Sequence, residues 1–237
     1  MKFSVSLLFL LFFTSLSTIA EKEVVYPNLD PLESINRPIF VFNDRLDHFI
    51  LRPIAVGYDT ISPDFVQRGI GNIFSNTADF TTSLNRILQG DFVNAASSSG
   101  RFLVNSTLGL LGIFDVASGM GIKEVKSDFG QTLSVWGFSS GPYLMVPIFG
   151  PRTVRSGAGT VLDSFASIEK QIDNVSLRNS VWGIKVVHGR AELLKADDVI
   201  TGDRYIFIRD AYLQRRKALE SGDVFIDKFE YETEEEF

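Results

Sequence analysis

The sequence predicts an all-α protein, a bundle of short helices built round one glycine-rich hairpin. Three observations carry that expectation. Apolar residues recur at steps of three and four through most segments. Asp30-Pro31 and Ser62-Pro63 have the form of a cap followed by a first-turn proline. No stretch shows convincing strand alternation. The hairpin is Asn105–Ile122, NSTLGLLGIFDVASGMGI, an apolar run with glycines at 109, 112, 119 and 121 and one charge, Asp115. A glycine inside a helix costs roughly 1 kcal/mol against alanine, and glycine weakens strands as well, so the backbone is expected to bend here. Two readings stay open. The stretch is a buried turn between core helices, or a backbone loop held at membrane depth, tolerated only where it is packed in protein or lines a wet cavity.

The chain of 237 residues opens with Met1-Lys2, an apolar run from Phe3 to Phe13, and then Ser15, Ser17, Thr18 and Ala20. That is the pattern of a secretory signal, with cleavage expected after Ala20. The run is too short to span a bilayer, which takes about 20 residues. The expected boundaries are a signal peptide at 1–20, a helical domain at 21–222 and an acidic mobile tail at 223–237.

Asp30-Pro31-Leu32-Glu33 reads as a helix start, and Ile35, Ile39, Phe42, Leu46 and Phe49 form its stripe. Arg52-Pro53 should end or bend that helix. After Ser62-Pro63 comes a helix bearing Val66, Ile70, Ile73 and Phe74. A separate one is expected to be capped by Asp79 and stopped by Gly90. Asp91 starts the next, whose small residues from Ala95 to Gly100 should let helices approach closely. Beyond the hairpin, residues 128–136 fit a short helix. Residues 137–151 hold three prolines and three glycines and read as an extended, buried connector. Helices follow at 152–165, at 177–195 and around Tyr205–Leu219. Most of the helices should run to about 9–19 residues, near the average for globular proteins.

The first twenty residues hold one lysine and no acid, so the rest has 22 bases against 29 acids, a net charge of −7. An acidic protein lacks the basic face that nucleic acid requires. The chain has no cysteine, hence no disulfide, thiolate metal site or thiol nucleophile. His48 and His188 are too few for a catalytic metal site, and no phosphate-loop or dinucleotide fingerprint occurs, so no cofactor is expected. Gly137-Phe138-Ser139-Ser140-Gly141 matches the nucleophile-elbow pattern, with Asp163 or Asp173 and then His188 in hydrolase order. That motif needs a helix after the serine, which Pro142, Pro147 and Pro151 forbid. Elimination leaves a binding or transport protein rather than an enzyme.

Spaced motifs then identify a family. Asp30-Pro-Leu-Glu-Ser-Ile-Asn-Arg37, Leu51-Arg-Pro53, Leu88-Gln-Gly90, Arg101-Phe102, Asn105-Ser-Thr-Leu-Gly109 and Gly112-Ile-Phe-Asp-Val-Ala117 occur in series. Phe129-Gly-Gln-Thr-Leu133, Gly141-Pro-Tyr143, Gly150-Pro151, Arg190-Ala191 and Arg209-Asp-Ala-Tyr212 follow. From Asp30 to Arg216 the chain closely resembles the MlaA (VacJ) family of Gram-negative outer-membrane proteins. The resemblance implies an all-helical ring in the inner leaflet of the outer membrane, around an amphipathic channel and bound to trimeric porins. It implies removal of phospholipid misplaced in the outer leaflet and its delivery to the periplasmic carrier MlaC, which maintains lipid asymmetry. Family members carry an acylated lipobox cysteine. With no cysteine in this sequence, attachment on the periplasmic side of the outer membrane is expected from an apolar belt and a porin instead of a lipoprotein anchor.

The site expectations follow. Leu108, Leu110, Leu111, Ile113, Phe114, Val116 and Met120 should face lipid or the pore from a mobile hairpin. Asp115 should mark its wet side, because a charge is expensive at membrane depth. Phe40, Val41, Ile50 and Leu51 flank the first stripe and should face the membrane, since an ordinary surface helix keeps that flank polar. Of the 21 phenylalanines, seventeen lie after Ala20, and core packing is the expected place for most of them. The rival functions are a porin-associated structural protein that moves no lipid and a Ser139-based lipid esterase.

Overall fold

Asp30 opens the computed structural model, which describes residues 30–221; the expected signal peptide, its cleavage after Ala20 and the acidic tail lie outside the described residues. The first helix, α1 (Glu33–Leu46), is followed by a π-helical turn (Asp47–Leu51) and α2 (Arg52–Ile61). Next come α3 (Asp64–Leu88), α4 (Phe92–Thr107), α5 (Val116–Gly119) and α6 (Phe129–Val135). A two-stranded ribbon, β1 (Tyr143–Val146) and β2 (Gly150–Thr153), leads into α7 (Val154–Ala166). The chain ends with α8 (Val175–Glu192) and α9 (Arg204–Ser221), each preceded by a short 3₁₀ turn, Ile168–Gln171 and Lys195–Val199.

Asp30 does not cap α1 as expected; the cap position is Leu32, and Asp30 braces the turn before it. Its carboxylate accepts from Leu32 N at 3.1 Å and from Asn36 Nδ2 at 2.8 Å. Pro53 does not stop the helical run. It sits in the first turn of α2, and the turn before it widens to π-helical form. Pro53 has no N–H to give a carbonyl one turn back, and the wider turn absorbs that loss.

The break expected at Asp79 is absent. α3 is one helix of 25 residues, about 38 Å long at 1.5 Å per residue. Asp79 lies buried in its middle, because its carboxylate is taken by Arg101 and not by a helix end. Gly90, at φ +77°, ends α3, and Asp91 caps α4 by accepting from Asn94 N. Ala95 and Ser98 are buried on α4, so the small residues do bring α3 and α4 close.

Residues 137–151 are extended in part, but they pair with their own continuation rather than merely connect. Tyr143 lies opposite Thr153 and Val146 opposite Gly150 in the antiparallel ribbon. Tyr143 and Met145 point inward, where Tyr205, Ile39, Phe40, Tyr212 and Leu213 surround them. Asn36 clamps this ribbon to α1, donating to Tyr143 O at 3.0 Å and accepting from Met145 N at 2.8 Å. Tyr205 of α9 donates to Asp30, and Arg37 of α1 reaches Asp203 at 2.8 Å. The start of the last helix therefore meets the first helix.

Burial in this bundle runs opposite to that of a water-soluble one. Among the described residues no Leu, Ile, Val or Phe is buried. The largest fully buried side chains include Arg101, Asn36, Asn85 and Thr132 beside Tyr143 and Tyr205. On α1 and its extension three residues of the first stripe point outward, Ile35 57 %, Phe42 52 % and Phe49 73 % exposed, while Ile39 packs against the Tyr143, Met145 and Tyr205 cluster. Leu177 and Ile184 of α8 are exposed in the same way. Core packing does not account for most of the described phenylalanines: Phe65, Phe92, Phe138, Phe149 and Phe165 are among those exposed, whereas Phe40 packs against the core and Phe80 against Phe102. Helical periodicity identifies the apolar face of a helix, but not which solvent that face meets.

Candidate functional site: the glycine hairpin and its polar base

α3 and α4 carry polar residues at helical spacing on their facing sides. Asn76, Asp79 and Ser83 lie on α3, and Ser98, Arg101 and Asn105 on α4, all buried. Burying a charge is tolerated when it is paired and fully hydrogen-bonded, and Arg101 meets that condition. Its Nε donates to Asp79 Oδ2 at 3.1 Å and its Nη2 to Asp115 Oδ2 at 3.0 Å. Its Nη1 donates to Ser118 Oγ at 3.0 Å and to the Ile122 carbonyl at 2.6 Å. One guanidinium thus ties α3 and α4 to both sides of the hairpin's return limb. Asn105 adds a second tie, donating to Asp115 Oδ1 at 3.0 Å and accepting from Ala117 N at 2.9 Å.

Above this base the chain makes a tight, apolar loop. Leu110 and Leu111 take left-handed backbone angles, φ 51° and 59°, which cost a side-chain-bearing residue of order 1–3 kcal/mol each. Gly112 follows at φ +93°, and a Cβ there would lie 2.7 Å from Asn76 Cβ. The loop is held by Gly112 N donating to Asn105 O at 2.9 Å, Phe114 N to Gly109 O at 3.0 Å, and Asn72 Nδ2 to Ile113 O at 2.9 Å. Leu108, Leu110, Leu111, Ile113, Phe114 and Met120 are all exposed, Leu111 at 78 %. The hairpin is a greasy rim on a charged, hydrogen-bonded base.

The structure sorts the expected residues. The six other apolar side chains of the hairpin are exposed, while Val116 is half-buried. Asp115 does not mark an open wet side. It caps α5, accepts from Ser118 N and Oγ, and is neutralised by Arg101. Val41 and Ile50 are exposed, and Leu51 is half-buried. Phe40 turns inward instead of outward, edge-on to Tyr205 with ring centroids 5.4 Å apart. No hydrolase triad is assembled round Ser139. His188 Nδ1 meets Tyr58 Oη at 3.1 Å, and Asp163 accepts from Asn85 Nδ2 and Phe129 N. Sequence reasoning missed Arg101, Asp79, Asn105 and Asn76. The signal was present in the i, i+3, i+4 recurrence of polar residues, a pattern usually taken for a solvated face.

The two carboxylates on Arg101 respond to acid in opposite senses. Burial works against charge on Asp115, but Ser118, Arg101 and Asn105 outweigh it and hold its pKa down at about 2. Burial dominates at Asp79 and lifts its pKa to about 6 despite Arg101. A depressed carboxylate stabilises the fold above its unfolded pKa of about 3.9 and loses that contribution as pH falls through the folded value. A raised one favours the folded state on protonation, so acid between about pH 6 and 4 does not loosen the hairpin through Asp79. Protection of amides 108–122 against exchange, relative to the intrinsic rate at each pH, is therefore expected to hold from pH 7 to about 4 and to fall between about 4 and 2. Loss of protection already at pH 5 would contradict this order.

Among the described residues no helix is long and apolar enough to cross a membrane. A helical fold with a charged, hydrogen-bonded interior and many large apolar side chains exposed defines a class by its pattern of burial. Within that class the chain belongs to the MlaA lipoprotein family, whose family model matches residues 28–219. It is 32 % identical over 199 residues to the Escherichia coli K12 intermembrane phospholipid transport system lipoprotein MlaA, covering 81 % of this chain and 79 % of that one. An uncharacterized protein of Rickettsia typhi is 35 % identical over 193 residues, covering 80 % of this chain and 77 % of its own. A chain solved in work on the structural basis for maintenance of bacterial outer membrane lipid asymmetry superposes with a TM-score of 0.72. It is 33 % identical and covers 81 % of this chain and 98 % of that one.

Proposed function

We propose that this protein is an outer-membrane component of intermembrane phospholipid transport. It removes phospholipid misplaced in the outer leaflet and passes it to a periplasmic MlaC-like carrier, so that lipid asymmetry is kept. The single observation that carries this reading is the reversed burial, apolar residues outward round a polar, ion-paired interior. A buried methylene is worth about 0.8 kcal/mol, so two acyl chains of about sixteen carbons exposed to water would cost over 20 kcal/mol. Moving such a lipid needs no catalytic group. It needs a surface that keeps the chains dry beside polar groups that keep the headgroup hydrated. The mobile hairpin rim, Leu108 to Met120, supplies the first, standing on the Arg101–Asp115 base. Attachment through the exposed belt and through trimeric porins completes the proposal.

Phospholipid extracted from the purified protein and identified by mass spectrometry tests it. Glycerophospholipid in a fixed molar ratio, lost when the six hairpin side chains are replaced by serine, is the expected result. Lipid-free protein that co-purifies with porin would instead establish a structural partner of the porin. Phospholipid cleavage abolished by Ser139→Ala would establish an esterase.

A further inference from the structure

The turn that joins β1 to β2 lies apart from the hairpin in sequence and shares an unusual feature with it. Among the described residues three non-glycine residues take left-handed backbone angles, Leu110 and Leu111 on the hairpin and Ile148, at φ 68°, in this turn. Such an angle is a genuine outlier for a β-branched residue and is usually left to glycine or asparagine. Phe149 N donates to Pro147 O at 2.8 Å, which closes a γ-turn about Ile148 in its rarer, strained form. Asn43 of α1 holds the turn in that shape, donating to Val146 O at 2.9 Å and accepting from Ile148 N at 2.8 Å. The turn so held leaves Ile148 61 % and Phe149 58 % exposed. Strained backbone persists where the surrounding structure over-determines it, and it clusters at functional sites.

Two observations choose what the exposed pair meets. The first is that the turn makes little polar demand of its surroundings. Pro147 has no N–H, the N–H groups of Ile148 and Phe149 are both bonded, and no charged residue occurs from Phe129 to Pro151. Water would satisfy such donors unaided, whereas an apolar medium penalises every unpaired backbone group. The second is size. A four-residue turn is far too small to supply the roughly 800 Å² that each partner brings to a stable protein interface. A bilayer sets no such minimum, because it takes in apolar side chains one at a time. We infer that the turn at residues 147–150 is a wedge that inserts Ile148 and Phe149 into the acyl region of a phospholipid bilayer, with Asn43 setting its shape. The inference rests on the reading of the chain as an outer-membrane protein. It adds to that reading a membrane contact made by the ribbon, beyond the helical belt and the hairpin.

Flotation of the purified full chain with vesicles of phosphatidylethanolamine and phosphatidylglycerol tests it. Ile148→Gly and Phe149→Ser together should weaken vesicle binding about tenfold or more, the effect of withdrawing two apolar side chains from the bilayer. Ile148→Gly alone removes the strain and should raise the melting midpoint in detergent by about 2–4 °C. The chain has no cysteine, so Phe149→Cys accepts a single nitrobenzoxadiazole label. Its emission should rise when vesicles are added and be quenched by lipids brominated on their acyl chains. A label that stays unquenched while the protein floats would overturn the wedge and leave membrane attachment standing. Undiminished flotation of the double variant would do the same. A lower midpoint for Ile148→Gly would show a side chain that the fold itself needs, and would also overturn it. A rise in emission that requires added trimeric porin would assign the turn to a protein partner instead. Parent chain that does not float at all would remove the membrane reading and the wedge together.

Discussion

Replacing Arg101 by methionine is expected to destabilise the protein by about 3–5 kcal/mol, the usual consequence of removing one member of a buried ion pair. The side chain is 1 % exposed and Asp79 2 %, so water cannot take over the lost contacts. Asp79 keeps only the option of protonation, and its pKa already stands at about 6 with the arginine present. Hence both proteins should gain stability as pH falls from 7 to 5, the variant more than the parent. Asp115 and Ile122 lose their tie to α4 together, so limited proteolysis should cut between residues 108 and 122 first. Arg101→Met combined with Asp79→Leu should recover part of the loss, because a buried apolar pair leaves no orphaned charge. A single variant that melts and digests like the parent would show that the hairpin base is held by other contacts.

Replacing Phe42, Phe49 and Ile50 together by aspartate is expected to release the protein from membranes. All three are at least half exposed, so the fold loses little, whereas membrane residence loses much. An aspartate at the centre of a membrane helix costs about 2.5–3.5 kcal/mol on insertion scales, and three at the interface sum to a large shift in partition. Circular dichroism should stay helical while the protein moves from the membrane pellet to the soluble fraction. The same change at Phe40 should instead unfold the ribbon contact with Tyr205. Undiminished sedimentation of the triple variant would count against the belt.

Much of this was legible in the sequence. The helix starts at Asp91 and Asp128 and the stop at Gly90 lie where spacing placed them, since those signals are local and depend on a few neighbouring residues, whereas Leu32 and Pro63 take the cap positions expected of Asp30 and Ser62. The mainly helical class is borne out, and so is the family. What was not legible depends on partners distant in sequence. Asp79 has the form of a helix cap in sequence and becomes a buried ion-pair member only when Arg101, 22 residues on, comes alongside. Asp115 was placed in water by the cost of a charge at membrane depth, a cost that Arg101 removes. Phe40 and Val41 are adjacent and equally apolar, yet one packs on Tyr205 and the other is exposed. The ribbon at Tyr143–Thr153 was hidden because four residues per strand, with Gly150 and Pro151 in the second, are too few for alternation to register.

The most direct measurement is the amount of phospholipid in the outer leaflet of living cells. A membrane-impermeant amine reagent would report it in a Gram-negative host lacking its own MlaA protein. Complementation with this chain is expected to lower surface phosphatidylethanolamine to the level of an intact host. A Gly69→Cys, Ile113→Cys variant bears on the hairpin's movement. A Cβ on Gly69 lies 3.4 Å from Ile113 Cγ2, within reach of a disulfide, and the chain has no other cysteine. Oxidised, it should leave surface phospholipid high, and reduction should bring it down. Surface phospholipid that stays high with the parent chain folded in the outer membrane, or that falls equally with a verified crosslink, would contradict transport by a moving hairpin.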